Sequence, residues 1–272
     1  MKDKLIDMHV HSLECGIMCA GDVDVTFETV TKGLQEYHVE KACLMPINDI
    51  SWQPVKAMND YLVEIVKTHP DYVGFIDIDI TRAHFYRGIK EMESEIEYYH
   101  SKGLKGIKIH PQNLGVKADD WRLLPIYRLA GELKIPVIIH CYPGSSPGLQ
   151  DDSDPRAIEK VVRVFHKTTF IIAHFGGVKY FYDMEYLNYE NVYFETSGVM
   201  PKLEAYFGID KIKVVFDEIG YDKIMFGSDY PTESITETLR ILKLVVPEEK
   251  QGEVFYGNAD RLGRKFGWWE KD

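Results

Sequence analysis

Eight short apolar runs, each followed by a longer amphipathic stretch, predict an α/β fold assembled from parallel βαβ units. These repeats fill a chain of 272 residues with little left over, which selects closure into a single-domain (β/α)8 TIM barrel. An open doubly wound sheet is the alternative. It usually carries a G-x-G-x-x-G turn after its first strand, and here that turn reads His9-Val10-His11-Ser12. No internal repeat, low-complexity tract or Pro/Ser-rich linker interrupts the pattern, so residues 1–272 are expected to form one domain.

The strand candidates, in order, are Leu5–Val10, Ala42–Ile47, Tyr72–Ile80, Gly106–His110, Pro136–Cys141, Thr169–His174, Val192–Thr196 and Lys223–Phe226. All are rich in Val, Ile and Phe, as strands buried on both faces require. Helices are expected over Phe27–Tyr37, Val55–Thr68, Phe85–His100, Trp121–Leu133, Pro155–His166, Tyr180–Tyr189, Ile209–Ile219 and Ser234–Val245. In Phe85–His100 the residues Ile89, Met92, Ile96 and Tyr99 recur at spacings of three and four, the mark of one buried helical face.

Composition narrows the function. Lys and Arg number 32 against 43 Asp and Glu, a formal charge of −11, and no basic stripe interrupts it; nucleic acid is excluded as an expected partner. No apolar stretch approaches the ~20 residues that span a bilayer. The opening Met1-Lys2-Asp3-Lys4 lacks the apolar segment of a secretory signal. Cysteines at 15, 19, 43 and 141 do not make a disulfide framework, and Cys15-x3-Cys19 lacks partners at zinc-finger spacing; free thiols and a cytoplasmic location are expected.

The informative feature is what ends the apolar runs. The first ends Asp7-Met8-His9-Val10-His11, where alternation puts His9 and His11 on one side of the strand and Asp7 with them. The fourth run ends in His110, the fifth in His140, the sixth in His174, and the eighth passes Gly227-Ser228 to Asp229. In a barrel these ends share one rim, the rim where barrel active sites lie. Burying five imidazoles and a carboxylate there for structure alone would be costly. Imidazole nitrogen with carboxylate oxygen suits a divalent metal, zinc first and manganese next.

With these motifs in place the chain resembles the amidohydrolase superfamily, in its amidohydrolase-2 branch. That branch holds hydrolases together with decarboxylases of the aminocarboxymuconate-semialdehyde decarboxylase type. The resemblance runs through D-M-H-V-H, K-I-H-P, I-I-H-C, A-H-F-G-G, Y-F-E-T-S-G and G-S-D-Y-P, to a closing helix at Tyr256-Gly257-Asn258-Ala259. It implies His9, His11, His140 and Asp229 as ligands of one metal ion, with His174 and Asp229 as catalytic acid or base. Binuclear members bridge two metals with a carboxylated Lys or a Glu at the end of strand 4. Here that strand ends in His110 with Lys108 two residues before, so one ion is favoured and both residues are assigned to substrate. Asp7 is expected to accept an N–H from a metal-bound imidazole.

Other features read more plainly. Tyr180, Phe181, Tyr182, Tyr186 and Tyr189 could wall a pocket but suit core or subunit contact better. Glu91 to Glu97 looks like a solvated acidic face, and Trp268-Trp269 like packing or an oligomer contact. The loops Cys15–Asp24 and Cys141–Leu149 should overhang the site. The leading expectation is hydrolysis of a small amide, ester or lactone by metal-activated water. The alternative is non-oxidative decarboxylation of an aromatic or unsaturated acid, with Lys108, His110 or Arg82 meeting the carboxylate. A metal-free binding protein on a degenerate barrel is the third reading, and the complete His and Asp set counts against it. Partners are expected to be a small-molecule substrate, no membrane, and a second copy in a homodimer.

Overall fold

The computed structural model describes residues 4–18, 22–143 and 152–269. Eight parallel strands form one sheet in chain order: β1 (Leu5–Val10), β2 (Val39–Leu44), β3 (Tyr72–Ile76), β4 (Gly106–Ile109), β5 (Val137–His140), β6 (Phe170–Ala173), β7 (Val192–Glu195) and β8 (Ile224–Met225). The circle is completed between the ends of the chain. Met8 N donates to Phe226 O at 3.0 Å, Asp229 N to His9 O at 2.9 Å and His11 N to Tyr230 O at 2.9 Å. The barrel is thus the observed architecture, and the open sheet is excluded.

Two apolar layers hold it. Outward-facing strand residues such as Leu44, Ile76, Ile107, Ile139 and Ile172 pack beneath the surrounding helices. Inside, Ile6, Met8, Cys43, Phe75, Ile138, Ile171 and Met225 form a second cluster with Trp268 and Trp269. The C-terminal segment therefore closes the floor, with Trp268 edge-on to Phe75 at 5.8 Å and its Nε1 donating to Lys105 O at 3.1 Å. The tandem Trp is packing, as one of its two readings had it.

Several elements differ from expectation. The aromatic run after β6 is not a continuous helix: a turn over Gly177–Tyr180 leads into 3-10 geometry over Phe181–Leu187, and a separate helix, Met200–Phe207, was not anticipated. Within that run Tyr180 and Phe181 are buried while Tyr182 and Tyr186 are exposed. The acidic face over 91–97 is solvated except at Glu93, which is buried between Arg128 and Lys90. β3 stops at Ile76, because Asp77 turns its backbone to Asn59, accepting at its O from Nδ2 (3.0 Å) and donating its N to Oδ1 (2.8 Å). Among the described residues no helix is long and apolar enough to cross a membrane.

Candidate metal centre

The site begins with a defect in β1. Asp7 pairs with Ala42 and Val10 with Leu44, so one extra residue lies between them, and the alternation of faces breaks. Ile6 and Met8 point into the interior cluster, yet His9 and His11 also line the cavity at the rim. The expectation that Asp7 shares their side is therefore corrected. Asp7 Oδ1 instead accepts the backbone N–H groups of His9 (3.1 Å) and Ser228 (3.0 Å), pinning the bulge and the turn that leads to Asp229. Burial pushes the Asp7 carboxyl up to about 7.

Tautomers follow from the hydrogen bonds. His11 Nδ1 lies 3.0 Å from Met45 O, an acceptor, so Nδ1 carries the hydrogen and Nε2 offers a lone pair. His9 Nδ1 donates to Glu195 Oε1 at 2.9 Å, so its Nε2 presents a lone pair to the cavity, where Lys108 Nζ lies 3.3 Å away. Burial, with Lys108 nearby, holds the His9 ring well below the usual imidazole range, hence neutral. Asp229 Oδ1 stands 3.2 Å from His11 Nε2 and 3.6 Å from His9 Nε2, and is buried without a hydrogen-bond donor. Three potential ligand atoms thus face one another within 4.8 Å. The Lys108 ammonium, 3.3 Å from His9 Nε2, meets part of that arrangement, and two imidazole nitrogens with one carboxylate oxygen are a fitting donor set for a divalent ion.

Glu195 was quoted in the Y-F-E-T-S-G motif but assigned no role. Its Oε1 accepts from His9 Nδ1, from His174 N at 3.1 Å and from Ser197 Oγ at 2.8 Å, and its Oε2 from Ser197 N at 2.7 Å. It takes the place expected of Asp7, fixing the ring orientation of a candidate metal-binding histidine. Its Oε1 already accepts from three donors, so the nearby grouping of His9, His174 and Glu195 reads as a hydrogen-bonded brace rather than a second ion site.

His174 sits beside this brace with Nδ1 anchored by Ser197, 3.0 Å from its O and 2.9 Å from its Oγ. Burial lowers the ring to about 4. Both His174 (φ 61°) and Asp229 (φ 68°) occupy the left-handed region, which costs non-glycine residues energy and persists where the surroundings over-determine it. Gly198 (φ 65°) is required between them: a Cβ there would lie 2.9 Å from Asp229 Oδ2 and 3.4 Å from His174 Nδ1.

His140 lines the same cavity, stacked on His110 with ring centroids 3.6 Å apart and 4.5 Å from His174, but its nitrogens fall outside the group within 4.8 Å. His110 Nδ1 accepts from Asn113 N at 3.4 Å, which leaves Nε2 as the N–H end of that ring. Lys108 is 1 % exposed, with Nζ 3.3 Å from His9 Nε2, and burial lowers its amine to about 8. Arg82 is not part of the site; it is engaged by Glu95 at 2.8 Å and Asp79 at 3.5 Å. Cys15 is a free, exposed thiol, whereas Cys19 and most of the Cys141–Leu149 loop lie outside the described residues. The cavity, of about 320 Å³, is completed by Met18, Ile47, Asp49, Trp52 and Asn113. Of these wall residues only Met18 fell inside a loop that the sequence singled out.

A family model described as Amidohydrolase matches residues 6–264. No protein of curated function matches the sequence. Among solved structures, an uncharacterised TIM-barrel protein of Bordetella bronchiseptica is similar at a TM-score of 0.77 and 17% identity, over 97% of this chain and 99% of that one. A dihydroxybenzoic acid decarboxylase of Polaromonas sp. JS666, solved with bound manganese and the inhibitor 2-nitroresorcinol, gives 0.72 and 18% over 96% and 97%. A 4-oxalomesaconate hydratase of Rhodopseudomonas palustris gives 0.65 and 18% over 97% and 96%.

Proposed function

The chain belongs to the amidohydrolase family, and from that premise we propose that it is a metal-dependent lyase that removes CO2, without oxidation, from a small aromatic or unsaturated carboxylic acid. The observation that carries this reading is the make-up of the cavity: nitrogen groups of Lys108, His110, His140 and His174 around the His9, His11 and Asp229 cluster, beneath an apolar wall of Met18, Ile47 and Trp52. A flat acid fits such a space, and about 320 Å³ is at the small end of ligand pockets. Solved relatives of the same fold that decarboxylate dihydroxybenzoates support it.

His9, His11 and Asp229 would hold the ion, with His140 the fourth candidate. When bound, the ion supplies positive charge that draws substrate oxygens to the floor and stabilises charge developing on them. Lys108 and the Nε2–H of His110 bind and orient the carboxylate. His174, with Nδ1 tied to Ser197, presents Nε2 as the atom that takes up a proton from solvent and delivers it to the carbon of the bound carboxylate that loses CO2. Zinc and manganese both suit the donors.

Hydrolysis is the second reading, favoured by one observation: Asp229 Oδ1 is buried without a donor and could accept the proton of an attacking water. The experiment is turnover of a panel of benzoic acids and of small amides, esters and lactones by protein of measured metal content, read as CO2 and as hydrolysis product. CO2 release is expected. His174→Ala should keep the metal and lose about 10²–10⁴-fold in turnover. Hydrolysis products without CO2 would replace the lyase reading, and loss of metal from His174→Ala would make His174 a ligand.

A further inference from the structure

The cavity also contains an acidic group that the reaction above does not use. His9 and Lys108 are 0 % and 1 % exposed and Trp52 is 38 % exposed; Asp49, half-buried like His110 and His140, lies beside Trp52 in the loop that follows β2. Asp49 Oδ1 accepts from Ser51 N (3.0 Å) and Ser51 Oγ (2.6 Å), closing a local turn. Among the described residues nothing engages its Oδ2.

This loop is tied down on three sides. Asn48, in the left-handed region at φ 53°, donates through Nδ2 to the buried Asp77. Asn113 Nδ2 donates to Ile47 O at 2.6 Å, and Trp52 Nε1 donates to Ile17 O at 3.1 Å, joining the loop to the short hairpin of Ile17–Met18 with Val23–Asp24. Asp49 is therefore held at the mouth by its neighbours' bonds. The cavity thus combines amine and imidazole groups, apolar side chains and a carboxylate with one unengaged oxygen.

We infer that the substrate is a small acid bearing, apart from its reacting carboxylate, a hydrogen-bond donor, an amino or hydroxyl group, and that Asp49 selects for it. Asp49 Oδ2 accepts from that donor, and a second carboxylate in the same place meets like charge across a partly desolvated gap. The inference rests on the acid-binding reading of the floor.

The test is calorimetric titration of the metal-loaded full chain with benzoate, 4-aminobenzoate and terephthalate. 4-Aminobenzoate is expected to bind about tenfold more tightly than terephthalate, the neutral donor being favoured over the like charge. Asp49→Asn keeps the oxygen that closes the turn while removing the charge, and should bring that ratio within about twofold, chiefly by strengthening terephthalate. In the unaltered protein, raising salt from about 0.01 M to about 1 M, which shortens the screening length from ~30 Å to ~3 Å, should narrow the ratio as well. That second measurement decides if the variant fails to fold. A ratio indifferent to both Asp49→Asn and salt overturns the inference, as does failure of all three acids to bind. Selectivity that depends on Asp49 in protein that never releases CO2 would reject the lyase reading alone; CO2 release with a ratio indifferent to Asp49 would reject this inference alone.

Discussion

In the lower part of the barrel, Ile6, Met8, Phe75, Ile138, Ile171 and Met225 close around Trp268 and Trp269, with every side chain in contact with apolar neighbours. At the rim, His9, His11 and Glu195 are just as thoroughly enclosed, with Asp229 partly so, but by lone pairs, strained backbone and a carboxylate oxygen without a donor. The floor converts burial into stability. The rim spends burial on holding polar groups where water would otherwise dissolve their arrangement, and each such group carries a desolvation cost that the floor must offset. Substitutions in the two halves should accordingly separate stability from metal binding.

Asp229→Ala should break the contrast most severely at the rim. Metal content measured by elemental analysis is expected to fall toward zero and turnover by on the order of 10³-fold or more, while the thermal midpoint of the metal-free variant stays within about 5 °C of metal-free wild type. Trp268→Ala is its mirror image: a loss of about 3–5 kcal/mol in denaturant unfolding, with metal affinity changed less than about threefold because no rim bond is touched. Glu195→Gln tests whether the brace belongs to the rim. Chelator competition should show metal affinity about 10–100-fold weaker; an unchanged affinity would mean that His9 needs no orienting partner.

Asp77→Asn should show the smallest effect, and its sign depends on pH. Burial raises the Asp77 carboxyl from 3.8 to about 7, so the folded chain binds a proton that the unfolded chain has already released. The stability this contributes is fully present below pH 3.8 and is lost as pH rises through about 7. The amide can keep the bonds from Asn48 and Ile78 without a buried charge. Thermal unfolding should therefore find the variant more stable than wild type by about 1–3 kcal/mol at pH 8.5, with the gain shrinking toward pH 5; a gain independent of pH would show that the carboxyl does not titrate in this range.

The sequence disclosed the rim better than its supports, for a physical reason. A histidine or aspartate at the end of an apolar run is conspicuous, since such residues are rarely buried without a task, and His9, His11, His174 and Asp229 were found on that ground. Glu195 ends its run in the same way, but a glutamate at a strand end is common at surfaces, and nothing local shows that it turns inward to His9. Asp7 was placed on the wrong side because alternation assumes an unbroken pleat, and the extra residue before Val10 has no Gly or Pro to announce it. The walls contributed by Ile47, Asp49 and Trp52 come from loop packing, which no period encodes. The helix Met200–Phe207 was missed where a Pro in the first turn and a following Gly208 made eight residues resemble a connection.

The last strand is only two residues long, and the barrel's first and last strands meet through few backbone bonds beside the proposed metal ligands. His9 and His11 come from one side of that seam and Asp229 from the other. An ion bound there is therefore a clasp between the two ends of the chain, and its binding energy becomes resistance to unzipping. Amide hydrogen exchange at His9, His11 and Asp229 should slow when metal is added, more than exchange at the paired residues Phe75 and Ile76 of β3 and Gly106 and Ile107 of β4, where the ladder is complete without it.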